Sequence, residues 1–284
     1  MPGLEGRIGM ALGEAVQGLE PLRGGCIAEV YRARLADGTA VVVKYDPGPE
    51  ASLGLEAAML RFLAKRSSLP VPQVFYAEDD LLVLEYVEND GKVSATTETH
   101  AAELLAELHS LSAPRFGFEQ DTVIGPLVQP NPWTGSWLAF YREQRLGAMA
   151  QEAYRAGTLD ETLLGRLERL VDDLDTFIGE PEAPSLVHGD VWSGNVLVRR
   201  GRIAAFIDPA LYYADAEVEL AFIALFHTFG RRFFEVYSQH RPSREGFLER
   251  RKEVYSLYPL LVHARLFGAP YDARVAGTLA RIGY

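Results

Sequence analysis

The 284-residue sequence predicts an α+β protein of two unequal lobes, a small antiparallel sheet with one main helix followed by a larger, mainly helical part. Three observations carry the prediction. Apolar runs of strand length, separated by turn signals, crowd the first 87 residues. Beyond them, apolar residues recur mostly at the three-and-four spacing of helices. A short β-rich patch, residues 186–198 with 203–207, interrupts those helices and gathers Asp190, Asn195 and Asp208.

Taken in order, residues 5–16 mix apolar and charged side chains as a short helix does. Residues 22–35 read as two strand segments around Gly24-Gly25, with Val30, Arg32 and Arg34 alternating with Tyr31, Ala33 and Leu35. Asp37-Gly38 is a hairpin turn signal. Residues 40–43 return as a buried strand that delivers Lys44. Residues 51–65 are helical, because Leu55, Met59, Phe62 and Leu63 recur at four and three. Residues 74–77 and 81–87 close the sheet, so the boundary is placed at Val87, with lobes of residues 1–87 and 88–284. After a polar linker at 88–92, helices are expected over 99–111, 136–156, 160–178, 217–229 and 247–267, and residues 126–135 as a long Pro/Gly-rich loop.

Hydrophobic residues make up 48% of the chain and charged ones 24%, the balance of a folded globular protein. A net charge of −11 argues against a nucleic-acid or anionic-membrane partner, and sits more comfortably with cationic substrates. The longest strongly apolar stretch, residues 220–229, is about half the length a membrane span requires. No signal-type apolar core appears near the start, and the single Cys26 excludes an intrachain disulfide framework. A cytoplasmic monomer is expected, with a dimer open to it only through an intermolecular bridge at Cys26.

The chemistry centres on LVHGDVWSGNVLV, residues 186–198, and on Ile207-Asp208-Pro209. Two carboxylates and a carboxamide turned to one point suit Mg²⁺ and a hydroxyl nucleophile, the needs of phosphoryl transfer from ATP. Asp190 is the group that receives a hydrogen bond from the attacking hydroxyl, and Asn195 and Asp208 offer hard oxygen ligands to Mg²⁺. His188 reads as a support of the loop. Lys44 lies where the β3 lysine of a protein-kinase-like lobe lies, and would meet the α- and β-phosphates with Glu56 holding it. The plainer alternative is a surface lysine and an ordinary helical glutamate. Gly24 and Gly25 would let backbone approach the triphosphate, although paired glycines also mark plain turns. Residues 84–87, with Glu85 and Val87, form a candidate hinge to read adenine, or else an edge strand entering a linker. Cys26, beside that glycine loop, is either a small filler or a redox-sensitive thiol.

With these pieces in place, the chain resembles the fructosamine-3-kinase (ketosamine-3-kinase) family, a branch of the aminoglycoside-phosphotransferase-like, protein-kinase-like fold. The resemblance rests on GGCIAEVYRA, VVVKYD and LEAAMLRFL, on ELHS, RFGFEQDTVIG, QPNPW and WLAFYREQRL, and on LVHGDVWSGNVL, FIDPALYYADAEVELAF and YSLYPLLVHARLFG. Its more specific parts are Trp192 to Asn195, Asp208 to Ala210 with Tyr212-Tyr213, and residues 257–261. It implies Asp190 as catalytic base, Asn195 and Asp208 as Mg²⁺ ligands, and Lys44 with Glu56 as the phosphate-binding pair. It further implies transfer of the ATP γ-phosphate to the 3-hydroxyl of ribulosamine or fructosamine adducts on lysines or free amines, leading to deglycation. Trp192 would form a wall for the sugar or its amine chain, against the alternative of a core tryptophan. Asp215 is the candidate to sense the substrate amine, and Glu219 the one to brace the loop. The chain departs from many relatives in its short glycine run. Two competing readings stay open: an aminoglycoside or other small-molecule hydroxyl kinase of the same fold, and a binding module that holds nucleotide without turnover.

Overall fold

A computed structural model describes residues 3–22, 28–49 and 51–284; the expectations placed on Gly24, Gly25 and Cys26 fall outside them. Helix α1 (Leu4–Leu12) precedes five antiparallel strands, β1 (Val16–Pro21), β2 (Glu29–Leu35), β3 (Ala40–Tyr45), β4 (Val74–Ala77) and β5 (Leu81–Glu85), arranged β1-β2-β3-β5-β4. Helix α2 (Leu53–Arg66) connects β3 to β4. The helix expected over residues 5–16 stops early, because Gly13 takes a left-handed conformation at φ +70° and donates its amide to the Gly9 carbonyl. That turn frees Val16 to begin a strand absent from the sequence prediction.

The period of a strand decides where Lys44 goes. Val41 and Val43 point to one face of the sheet and pack with Ile8 of α1 and with Val83. Val42 faces the other way, against Leu53, Ala57 and Leu60 of α2. Lys44, two residues beyond Val42, therefore emerges on the α2 side. Helix α2 has a second apolar face, on which Met59 and Leu63 join the core of the helical part. Glu56, one turn before Leu60, is held between the two packed faces.

The rest of the chain carries α3 (Ala95–Leu108), β6 (Thr122–Ile124), β7 (Leu127–Gln129), α4 (Trp137–Tyr141) continuing through a π-turn at Arg142–Leu146 into α5 (Gly147–Arg155), and α6 (Glu161–Asp172). Then come β8 (Ser185–Val187), β9 (Val196–Arg199), β10 (Arg202–Phe206), β11 (Tyr212–Ala214), α7 (Glu217–Phe226), α8 (Arg231–His240), a second π-turn at Phe247–Arg251, α9 (Lys252–Phe267) and α10 (Tyr271–Arg281). The strands pair as β6-β7, β9-β10 and β8-β11. Helix α3 starts before the expected residue 99, because Ser94 accepts from the Thr97 amide while Thr97 accepts from the Ser94 amide. Helices α8 and α10 were absent from the prediction: each buries only three residues, too thin a stripe to read in a polar sequence. Strand β7 lies inside the expected loop. No helix among the described residues is long and apolar enough to cross a membrane.

Candidate active site

Lys44 Nζ donates to Glu56 Oε1 at 2.8 Å and to Asp208 Oδ1 at 2.5 Å. One ammonium thus joins the sheet, the helix and the strand end that follows β10. Burial opposes its charge, but Glu56 and Asp208 outweigh that and hold its pKa above the ordinary lysine value. Burial pushes the Glu56 carboxyl upward, with Lys44 pulling it back. Asp208 itself adopts φ +54°, a region that aspartate tolerates better than most residues because its short side chain can bond locally.

The loop after β8 folds Asn195 back over Asp190. A 3₁₀ turn at Ser193–Asn195 allows it, with the Trp192 amide bonded to the Asp190 carbonyl and the Asn195 amide to the Trp192 carbonyl. Asn195 Nδ2 then donates to Asp190 Oδ2 at 2.7 Å and to the Asp190 carbonyl at 3.0 Å. Two backbone bonds stitch this loop to the second motif: Ile207 N to Asn195 O at 3.0 Å and Ala210 N to His188 O at 2.8 Å. Burial and then the Asp208 charge push the half-buried Asp190 carboxyl up to about 7, with the Asn195 bond opposing. Among the described residues, Asn195 Oδ1 and Asp208 Oδ2 accept no hydrogen bond. Two such oxygens fit Mg²⁺, which binds through one or two protein oxygens and completes its shell with water and phosphate.

Glu219, in the first turn of α7, braces the loop from behind. It is 1% exposed. Its carboxylate accepts from the Gly189 amide at 2.6 Å, from the His188 amide at 3.3 Å and from His109 Nε2 at 2.7 Å. His109 Nδ1 lies 2.7 Å from the Tyr237 hydroxyl on α8. His188 supports the loop too, its Nδ1 accepting from the Asp190 amide at 3.3 Å. Burial alone would raise the Glu219 carboxyl; its bonds overcome this and set it below the ordinary value of 4.5. Stability from this group is therefore present above that value and lost as pH falls through the depressed folded value. Glu219→Gln should destabilise the protein by about 1–3 kcal/mol at pH 7, with the deficit shrinking in acid. Urea melts of both proteins at pH 7 and pH 4 check this; an equal deficit at both would remove the charge from the account.

Trp192 stands at the surface, 40% exposed, with its indole laid over Gly194, where a Cβ would come within 2.8 Å of Cζ3. The alternative of a core tryptophan does not hold. Asp215 needs correction in its placement: it is 2% exposed and already committed. Its Oδ2 accepts from Tyr255 Oη at 2.7 Å and pairs with Arg244, and its Oδ1 accepts from the Glu217 amide at 3.0 Å. Burial raises its pKa and Arg244 opposes the rise. A carboxylate so occupied faces the helical core rather than a substrate amine. At the end of β5, Glu85 bonds Gln73 through both amide and carboxylate, and the Val87 amide, among the described residues, donates to no protein acceptor.

Sequence reasoning missed a second brace. Arg145, on the first π-turn, is fully buried, stacks 4.1 Å from the Tyr212 ring and donates to Asn131 Oδ1 at 2.5 Å. Neighbouring Gln129 reaches the Ala210 carbonyl at 3.3 Å and accepts from Tyr258 Oη at 2.8 Å. QPNPW is present in the sequence as a motif, but nothing local shows that it props the strand end bearing Asp208.

A sheet lysine paired to a helical glutamate, set beside H-G-D-x-x-x-x-N and I-D loops, defines the protein-kinase-like class. A solved aminoglycoside phosphotransferase shares that fold, with a TM-score of 0.69 at 19% identity over 99% of both chains. The family model described as fructosamine kinase matches residues 7–282, and the chain belongs to that family. It is 35% identical over 267 residues to a probable ketoamine kinase of Synechocystis sp., covering 90% of this chain and 87% of the relative. It is 31% identical to a chloroplastic protein-ribulosamine 3-kinase of Oryza sativa subsp. japonica, covering 90% of this chain and 76% of that one. A solved structure from Thermobifida fusca assigned as a fructosamine-3-kinase superposes with a TM-score of 0.89 at 32% identity, covering 98% of each chain.

Proposed function

We propose that this protein transfers the γ-phosphate of ATP to the 3-hydroxyl of a ketosamine, a sugar adduct on a lysine or a free amine. The observation that carries the reading is the junction of Lys44, Glu56 and Asp208 beside the Asp190–Asn195 pair, with the exposed Trp192 two residues on. Family membership and relatives described as ketoamine and ribulosamine kinases support the acceptor class. The related aminoglycoside phosphotransferase has been solved with AMP-PNP, which supports ATP as donor.

In this reading, residues 1–87 hold the nucleotide and 88–284 the acceptor. Lys44 neutralises the phosphates and Glu56 keeps it aimed. Asn195 and Asp208 would hold Mg²⁺, whose positive charge would offset that of the phosphates when bound. Asp190 orients the acceptor hydroxyl; its oxygen bonds to the γ-phosphorus, the bond to the β-phosphate oxygen breaks, ADP leaves, and the proton passes late to Asp190. Trp192 forms an apolar wall on which the amine-bearing chain lies. The 3-phosphate formed is unstable and eliminates to return the free amine, so the consequence is deglycation, in the cytoplasm.

Phosphate transfer measured over ribulosyl-lysine, fructosyl-lysine, kanamycin and free hexoses tests the acceptor. Turnover of kanamycin with neither ketosamine would replace the reading with an antibiotic kinase. With the accepted ketosamine, Trp192→Ala should raise the acceptor KM about 5- to 30-fold while moving the ATP KM little, the cost of a lost aromatic wall of about 1–2 kcal/mol. Equal KM values for mutant and parent would remove Trp192 from the site.

A further inference from the structure

The linker between the lobes is tied to one particular place. Asp90 donates its amide to the Val198 carbonyl at 2.7 Å. Its carboxylate accepts from the Arg200 amide at 2.9 Å through Oδ2 and from the Lys92 amide at 3.1 Å through Oδ1. Two residues earlier, Glu88 pairs with Arg199. The Lys92 bond lies within the linker itself; the contacts to Val198, Arg199 and Arg200 fall at the tip end of the β9–β10 hairpin, where Arg200 and Gly201 are left-handed at φ +53° and +72°. The tip is also seated on α3, through Thr97 Oγ1 to the Gly201 carbonyl at 3.0 Å.

The other end of the same hairpin carries the site. Asn195 immediately precedes β9, and Asp208 stands two residues past the end of β10. Arg199 pairs with Arg202 at the tip and Val196 with Phe206 at the base. The three strand steps between them span about 10 Å at about 3.3 Å per residue. The base touches the N-terminal part as well, with Phe206 N bonded to the Pro70 carbonyl at 2.8 Å.

We propose that Asp90 is a positioning residue, clamping the interlobe linker to the hairpin so that the adenine end and the phosphate end of the nucleotide site keep one separation. The proposal rests on the phosphoryl-transfer reading of Asn195 and Asp208 above. A nucleotide bridges the two ends: residues 85–87 lead into the linker, and the hairpin base meets the phosphates. An acceptor at Asp190 and Trp192 depends on the helical part alone. Loss of the clamp therefore acts on nucleotide affinity and leaves the acceptor site in place. Asp90 is exposed, so replacing it opens no cavity. Its carboxyl is held below the usual aspartate range by the Arg200 and Lys92 amides, which keeps it an acceptor at neutral pH.

The test titrates Mg-ADP into the full chain by calorimetry and measures both KM values. Asp90→Ala should weaken Mg-ADP about tenfold, with Asp90→Asn, which retains one acceptor oxygen, falling between it and the parent. The acceptor KM should stay within about twofold, and the melting temperature should hardly move. Mg-ADP affinity within about twofold of the parent overturns the proposal. So does a parallel loss of nucleotide affinity, acceptor affinity and melting temperature, which marks a merely structural role. Arg200→Gly keeps the amide that Asp90 receives and should bind Mg-ADP as the parent does; weakening equal to that of Asp90→Ala would also overturn it. If the parent turns over no ketosamine while its Mg-ADP affinity still depends on Asp90, the acceptor reading fails and the clamp stands.

Discussion

Asp190→Asn should lose about 10²-fold or more in kcat while binding Mg-ADP as tightly as the parent. The asparagine fills the same space, but it cannot receive a proton late in the transfer. Its amide also competes with Asn195 Nδ2, which in the parent donates to Asp190 Oδ2 at 2.7 Å. The parent's kcat/KM should fall as pH drops through about 7, because the carboxyl must be ionised to accept, and burial with the Asp208 charge places it there. Mg²⁺ held at Asn195 and Asp208, as proposed, would offset part of that repulsion, so the falling limb should move to lower pH as Mg-ATP saturates. Steady-state rates over pH with calorimetry of both proteins provide the check. Equal turnover by mutant and parent would take Asp190 out of the mechanism.

Gly189→Ala should be nearly as damaging, for a different reason. Gly189 sits at φ +87°, and an added Cβ would lie 2.9 Å from the Ala210 carbonyl carbon and closer still to its oxygen. Neither atom can swing away, since the Ala210 amide is bonded to the His188 carbonyl at 2.8 Å. Left-handed strain and overpacking together should cost about 2–5 kcal/mol. The loop that escapes the clash carries Asp190 with it, and a displacement of about 1 Å at the reacting group lowers kcat by about 10²-fold. Gly38→Ala is the control: φ is +88° there, but nothing lies within 4 Å of the added carbon. It should show only the conformational cost, about 1–2 kcal/mol, with kcat unchanged. Equal losses at the two glycines would show that the contact with Ala210 is not the cause.

The placements that were legible share one property: each follows from local periodicity or from a short turn. Strand alternation places Lys44 on the face opposite Val41 and Val43, and helix spacing places Glu56 beside Leu60 and Leu63. The five-residue interval from Asp190 to Asn195 matches a short turn that returns the carboxamide to the carboxylate. Asp215 reads as a cleft residue because it follows Asp208 closely in the sequence, whereas its carboxylate turns to Arg244 and Tyr255, 29 and 40 residues on. Asp90 looked like one more polar linker residue, for its partner Arg200 lies 110 residues away. Helices α8 and α10 escaped notice because their short apolar stripes gain meaning only against the elements they cover.

Legible in the residues alone were the α+β class, the lysine on a central strand, the helix facing it, and the carboxylates and carboxamide of the two loops. These follow from chain stereochemistry, in which side-chain direction repeats every two residues in a strand and every three to four in a helix. Packing between distant segments settled that Trp192 is exposed, that Asp215 is buried in an ion pair, that Glu219 and Gln129 hold the loops from behind, and that the linker is pinned to the β9–β10 hairpin. Each of these depends on contacts between residues remote in the chain, whose energies appear only once packing has brought them together.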